Sequence, residues 1–144
     1  MPRRFAGLAA PLPALLFAFA VACGGSDKSL GPDPLASPTA SAAVTPDGAT
    51  IERGSTTTAT VVFSVTGGLK INKIIVSRPF AGITIVDKST KTEGTTITRT
   101  FTIGADSTIP VGPHKINFKP GVTGYSGTVV PPITNAIFTL TVTE

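Results

Sequence analysis

The chain has 144 residues, of which 41% are hydrophobic and only 14% are charged, and its formal net charge is +4 at pH 7. It contains one cysteine and one histidine. A disulfide framework needs paired cysteines, and the usual zinc sites need several cysteine, histidine or carboxylate ligands. The composition therefore excludes a disulfide scaffold and argues against a zinc enzyme, and we expect no metal and no cofactor.

The first 22 residues have the layout of a secretory signal peptide. Arg3 and Arg4 supply a positive start, and an apolar run follows as far as Ala22. The most apolar part of this run, residues 14–22, is far shorter than the about 20 residues that span a bilayer. We therefore predict that residues 1–22 are a leader that is removed from an exported chain.

The leader ends in Ala20-Val21-Ala22-Cys23, and Gly24 follows. Small residues before the only cysteine resemble the lipobox of bacterial lipoproteins, although Ala20 stands where leucine is commonest. The resemblance implies that a diacylglycerol is attached to Cys23, which would anchor the chain to the cell envelope. Gly24 favours the outer membrane, because an aspartate there would signal inner-membrane retention in enteric bacteria. The alternative is an ordinary signal peptide whose cleavage leaves a free thiol.

Residues 23–47 are predicted to be the lipidated cysteine and a disordered linker. The segment is rich in glycine, serine, proline and alanine and has no apolar period, so it offers no core to bury. A flexible coil of this length reaches roughly 25 Å on average. Loss of the leader lowers the formal charge by two, and the remaining lysines and arginines are scattered along the sequence. No run of them is typical of a nucleic-acid-binding patch, so nucleic acid is not expected as a partner.

Residues 48–144 are predicted to form a single β-domain. Threonine, valine and isoleucine are frequent there, and β-branched residues suit strands. Apolar residues alternate with polar ones between turn signals. The expected strands are residues 49–52, 57–65, 69–77, 83–86, 95–103, 114–118 and 134–143, with a bulge at Asn72-Lys73, a polar loop over 87–94 and a long loop over 119–132. Arg99 would share the inner face of its strand, so we expect it at a rim or on an edge strand.

Strands with one apolar face each bury those faces between two packed sheets. The expected fold class is all-β: an immunoglobulin-like Greek-key sandwich of about seven antiparallel strands. Four motifs add a family comparison: Ile51-Glu52-Arg53-Gly54-Ser55-Thr56, Phe80-Ala81-Gly82-Ile83-Thr84, Ile109-Pro110-Val111-Gly112-Pro113-His114 and Phe138-Thr139-Leu140-Thr141-Val142-Thr143. They resemble those of bacterial immunoglobulin-like or fibronectin-III-like extracellular domains, although Phe80 replaces the usual proline and His114 the usual tyrosine. The resemblance implies a fold and no activity.

His114 is the only histidine available for catalysis. No nucleophile and no carboxylate pair accompanies it at a telling spacing. Its strand position is a corner at which a polar aromatic ring commonly hydrogen-bonds a neighbouring backbone. The acidic residues of the loops are single and separated, unlike the converging oxygens of a calcium site. We therefore predict no enzymatic activity, no catalytic residue and no metal site.

Tyr125, on a glycine-flanked loop, and Phe80, beside Pro79, are candidate ligand contacts, because residues on sandwich loops often bind ligands. The predicted function is that of a non-enzymatic, lipid-anchored immunoglobulin-like module, displayed at the bacterial cell envelope for adhesion, envelope organisation or complex assembly. Its partners would be the membrane, through lipid on Cys23, and an envelope protein or glycan, through sheet edges or loops. The alternative is a glycan- or peptide-binding module that uses the 119–132 loop.

Overall fold

The computed structural model describes residues 37–127 and 130–144. This part of the chain contains nine strands and no helix. The strands are β1 (Ala40–Thr45), β2 (Gly48–Glu52), β3 (Thr56–Val65), β4 (Lys70–Ser77), β5 (Ile83–Glu93), β6 (Thr96–Ala105), β7 (Gly112–Thr123), β8 (Ile133–Thr134) and β9 (Ala136–Thr143). Within these ranges, no membrane-spanning helix is found. The predicted leader, Cys23 and the linker up to residue 36 lie outside the described residues.

The strands form two sheets that pack face to face. Sheet 1 has the order β5-β6-β3-β1-β8, and sheet 2 has the order β2-β9-β7-β4. Strands β1, β3, β6 and β5 take the places of one sheet of an immunoglobulin constant-type domain, and β4, β7 and β9 take those of the other. The predicted immunoglobulin-like sandwich is therefore confirmed.

The strand count and the start of the sandwich differ from the prediction. β1 lies within the segment predicted as linker, yet it pairs antiparallel with β3 from Ala40↔Val65 to Thr45↔Thr60. Its small residues alternate too weakly in hydrophobicity to distinguish it from linker sequence, although Ala40 and Ala42 are buried. The sandwich therefore begins before residue 48, and the short bridge β8 adds a further strand.

Two strand pairs are parallel, so the sheets are mixed and not purely antiparallel. β1 pairs parallel with β8, and β2 pairs parallel with β9. The chain passes from sheet 1 to sheet 2 between Thr45 and Gly48. At that crossing it joins the edge of sheet 2 beside the last strand. A parallel pair needs a long connection, and here that connection is the whole intervening domain.

β5 and β7 continue through segments predicted as loops. β5 reaches Glu93 because residues 89–93 pair with β6 after a register shift between Asp87 and Ser89. β7 reaches Thr123 because β4 pairs with it as far as Lys70. Residues 119–123 of the predicted 119–132 loop therefore belong to β7. The predicted bulge in β4 is confirmed by the register shift between Ile71 and Lys73.

The core lies between the inner faces of the two sheets. Phe63 of sheet 1 and Phe118 and Phe138 of sheet 2 are fully buried. The rings of Phe101 and Phe118 meet across the sheets with their centroids 5.1 Å apart. In β9 the expected alternation is confirmed, because Ala136, Phe138, Leu140 and Val142 are buried. Each large apolar side chain contributes roughly 1.5–3 kcal/mol through its burial, so these rows stabilise the fold.

The sandwich has two ends, which we name by the course of the chain. At the tether end, residues 37–39 lie beside the β3–β4 turn, and Thr66 N–H donates to the carbonyl of Thr39 over 2.9 Å. The β5–β6 turn and residues 124–127 lie at this end too. The far end holds the β2–β3, β4–β5 and β6–β7 turns, and Gly54 N–H donates there to the carbonyl of Ala105 over 2.7 Å.

Candidate interaction site

His114 stabilises the far end. It lies near the beginning of β7 with a buried side chain, and its Nε2–H donates a hydrogen bond of 2.7 Å to the carbonyl of Pro110. Because a carbonyl only accepts, the proton lies on Nε2. The ring thereby closes the turn before β7, as a tyrosine does at the corresponding corner of immunoglobulin domains. The predicted corner position of His114 is confirmed.

Phe80, one of the two candidate ligand contacts, packs on this histidine. The two rings meet edge to face, with centroids 5.0 Å apart and an angle of 88° between their planes. Such a geometry is favourable for aromatic pairs. The side of Phe80 away from His114 remains in solvent, and the residue is 43% exposed.

Asp106 organises the β6–β7 turn. Its Oδ1 accepts hydrogen bonds from the hydroxyl of Thr108, over 2.7 Å, and from the backbone N–H of Thr108, over 2.8 Å. The Thr108 hydroxyl first, then the N–H groups of Thr108 and Ile109, hold the pKa of Asp106 below its ordinary value of 3.8, and desolvation opposes them. Gly82 lies against this carboxylate, where a Cβ atom would collide with it. Asp106 therefore has a structural role, in which its carboxylate stabilises the β6–β7 turn.

Tyr125, the other candidate contact, lies at the tether end and is 41% exposed. Gly124 before it has a φ of 93° and approaches the β3–β4 turn, so that a Cβ atom there would lie 3.0 Å from the carbonyl oxygen of Gly68. Along β7, the nine steps from His114 to Thr123 span roughly 30 Å. The structure therefore places Tyr125 and Phe80 at opposite ends, and one small ligand does not reach both.

An open cleft runs between β4 and β5, which are edge strands of opposite sheets. Its tether end widens into a cavity of about 430 Å³. Leu69, Ile71 and Ile97 form an apolar wall, and Thr92 lies on the β5 side. This volume lies within the range of ligand pockets in proteins, about 300–1,000 Å³. The cavity opens onto apolar side chains of both sheets.

A second cavity of about 280 Å³ lies in the same cleft nearer the far end. Val76, Ile85 and Phe101 line it together with an ion pair, in which Arg99 Nη1 donates to Asp87 Oδ2 over 2.7 Å. Arg99 lies at the rim of the sandwich, as expected, but on the interior strand β6 and not on an edge strand. The ion pair partly closes this section of the cleft with charge.

The outer surface of sheet 2 carries a cluster that the sequence did not reveal. Lys115 and Lys119 alternate with buried residues of β7 and are exposed. Lys70 and Lys73 of β4 are exposed and pair with Thr123 and Gly121 of β7. We call these four lysines the lysine face. The sequence showed scattered basic residues because only the register between β4 and β7 brings them together.

The described ranges contain no group of three or more His, Cys, Asp or Glu side chains that could hold a metal ion. The chain matches no protein-family model and no curated protein.

The substitution His114→Phe tests the hydrogen bond at the far end. We expect it to lower the free energy of unfolding by about 1 kcal/mol, because the Pro110 carbonyl loses its donor while a ring still packs on Phe80. Urea unfolding measures this. The control is the adjacent exposed substitution Lys115→Gln, which should change stability by less than about 0.5 kcal/mol. Equal stability of His114→Phe and the wild type would contradict the assigned role.

The substitution Asp106→Asn tests the carboxylate of the far end through the pH dependence of stability. A carboxyl whose pKa is lowered on folding stabilises the folded state above its unfolded pKa, and this stabilisation is lost as the pH falls through the folded pKa. We therefore expect the wild type to melt above Asp106→Asn at neutral pH, with the difference shrinking below about pH 4. Melting curves at several pH values measure it, and a difference that grows in acid would contradict the assignment.

Proposed function

We propose that the chain is a non-enzymatic, lipid-anchored immunoglobulin-like module of the bacterial cell envelope, held at the outer membrane. In this proposal the module binds an envelope protein at its tether end, for adhesion, envelope organisation or complex assembly. The observation that carries the proposal is the apolar cavity between β4 and the β5–β6 turn, which is open to solvent. At the far end, by contrast, His114 and Asp106 have partners within the fold.

The residues around Cys23 support the anchor, and the start of the sandwich limits the length of the linker that follows it. Ser37 is already held by the fold, because its carbonyl accepts a hydrogen bond from the Thr66 hydroxyl over 3.3 Å. The predicted linker between Cys23 and Ser37 is then shorter than the sequence suggested. A coil of that length reaches about 20 Å, which would hold the tether end close to the membrane surface.

The sheet edges are poorly suited to pairing with another chain. β4 and β5 each contain a register shift, at Asn72 and Lys88 respectively. Both strands also carry exposed lysines. Bulges and edge lysines are the features by which natural sheets avoid pairing between chains. Of the two expected routes of contact, the loops of the tether end are therefore favoured.

The lining of the cavity favours a protein over a glycan as the partner. Leu69, Ile71 and Ile97 present apolar surface, which stabilises inserted apolar side chains. Sugar rings stack on aromatic side chains, and Tyr125 is far from Phe80. A peptide-binding role for the loop that carries Tyr125 is the second candidate, since Gly124 packs on Gly68 and Gly68 lines the cavity.

Metabolic labelling with a palmitate analogue tests the anchor. We expect the wild type to take up the label and Cys23→Ala to lose it, because only a thiol at this position accepts the diacylglycerol. Tyr125→Ala is the control and should label like the wild type, since it lies in the folded domain. An unlabelled wild type would leave Cys23 as the end of an ordinary signal peptide and refute the anchor.

Site-specific photo-crosslinking in intact cells tests the binding end. A photoreactive residue at Thr92, beside the cavity, should give a discrete adduct with an envelope protein, and one at Ser107, at the far end, should give none. The substitution Ile97→Thr makes the cavity wall more polar and should remove the Thr92 adduct. An adduct at Ser107 alone, or one at Thr92 that survives Ile97→Thr, would argue against this binding site.

A further inference from the structure

The lysine face has a regular geometry. In β7, Lys115 and Lys119 flank Asn117 and share the outer side of sheet 2, because Ile116 and Phe118 between them are buried. Residues four positions apart on a strand are about 13 Å from each other. Lys73 pairs with Gly121, which places it diagonally from Lys119, with about 7–8 Å between the two Cα atoms.

These lysines have no acidic neighbours on their strands. The sequences of β4, β7 and β9, which lie side by side, contain no aspartate and no glutamate. The ion pairs of the described residues are Arg53–Glu144, Lys91–Glu93 and Arg99–Asp87, and none involves the lysine face. At physiological salt the screening length is about 8 Å, so neighbouring lysines act together on a charged partner.

The outer surface of sheet 1 is different. There, hydroxyl groups from β3 and β6 face each other, as in the pairs Thr60–Thr100 and Ser64–Thr96. Two of the exposed charges on β5, Lys91 and Glu93, form an ion pair with each other. The two outer surfaces of the sandwich therefore differ in charge, and only sheet 2 presents unpaired positive charge over two adjacent strands of the described domain.

We propose that the lysine face docks on the anionic lipid headgroups of the membrane to which the chain is anchored. This inference rests on the proposed lipid anchor at Cys23. Lys70 directly follows the β3–β4 turn, where Thr66 bonds to Ser37, so the face begins where the predicted tether arrives. A short tether there keeps the lysines near the membrane, and docking brings phosphate groups against the ammonium groups.

Exposed apolar side chains on the same surface add a second contribution. Ile75 pairs with Lys119, and Ile137 pairs with Asn117, so both isoleucines share the outer side of sheet 2 with the lysines. They are 38% and 50% exposed, respectively. Apolar groups among lysines insert between headgroups, a combination typical of proteins that lie on a bilayer surface. A soluble polyanion would use the lysines and gain little from the isoleucines.

Vesicle binding tests the inference on the mature chain, residues 23–144, produced without the leader and as the Cys23→Ser variant so that it carries no lipid. We expect it to bind vesicles of phosphatidylcholine with phosphatidylglycerol and not vesicles of phosphatidylcholine alone. Each lysine near an anionic surface strengthens binding about fivefold, so Lys73→Gln/Lys119→Gln should bind at least about tenfold more weakly. Binding should weaken as sodium chloride is added. Melting temperatures like that of the parent chain verify folding.

The matched control is Lys88→Gln/Lys91→Gln, which removes the same charge from β5 in sheet 1 and should bind like the parent chain. Equal weakening by both pairs would mean that net charge alone drives binding, and this would overturn the inference. If Lys73→Gln/Lys119→Gln failed to fold, Lys115→Gln/Lys119→Gln within β7 would replace it. Lysine-dependent binding to dextran sulfate without binding to vesicles would assign the face to an anionic polymer and overturn the membrane assignment.

The vesicle experiment and the labelling of Cys23 test different proposals, so either proposal can be refuted while the other stands. If the wild type is labelled but its unlipidated form does not bind anionic vesicles, the anchor is retained and the proposed docking surface is overturned. An unlabelled wild type whose unlipidated form shows lysine-dependent vesicle binding would overturn the anchor and leave a lipid-binding face on a secreted domain.

Discussion

Two facing rows of apolar side chains, one from each sheet, determine the rest of this structure. Because side chains alternate along a strand, burying Ile116 and Phe118 of β7 forces Lys115 and Lys119 outward. The same rule places the threonines of β3 and β6 on the opposite surface. The interior therefore shapes both outer surfaces: it makes one rich in hydroxyl groups and the other positively charged.

The sequence predicted those strands in which one side is covered along the whole length. β3 and β9 carry clear alternation and were found close to their expected positions. The last part of β5 was not predicted because sheet 2 does not cover it. No apolar residues are needed there, and exposed lysine and threonine residues occupy its positions. β1 escaped because alanine packs in the core as well as it suits a linker.

The candidate sites were less predictable, since they depend on contacts between distant segments. The position of His114 followed from the strand pattern, because its partner Pro110 is local. The lysine face depends on the pairing of β4 with β7, and the cavity depends on where β4, β5 and β6 separate. Which strands pair and where they separate cannot be inferred from the order of residue types along the chain. The distance between Tyr125 and Phe80 likewise follows from the path of β7.

β1 is the first strand that a pull on the predicted tether would load. It enters at the tether end and runs along β3 with an antiparallel register that is unbroken from Ala40 to Thr45. Tension directed out of that end acts along the strand axis, so the hydrogen bonds to β3 share the force and do not open one after another. When flow or a bound protein pulls on the domain, the β1–β3 pair would therefore be loaded in shear. The domain would then resist unfolding by force at the strand to which the predicted linker is joined.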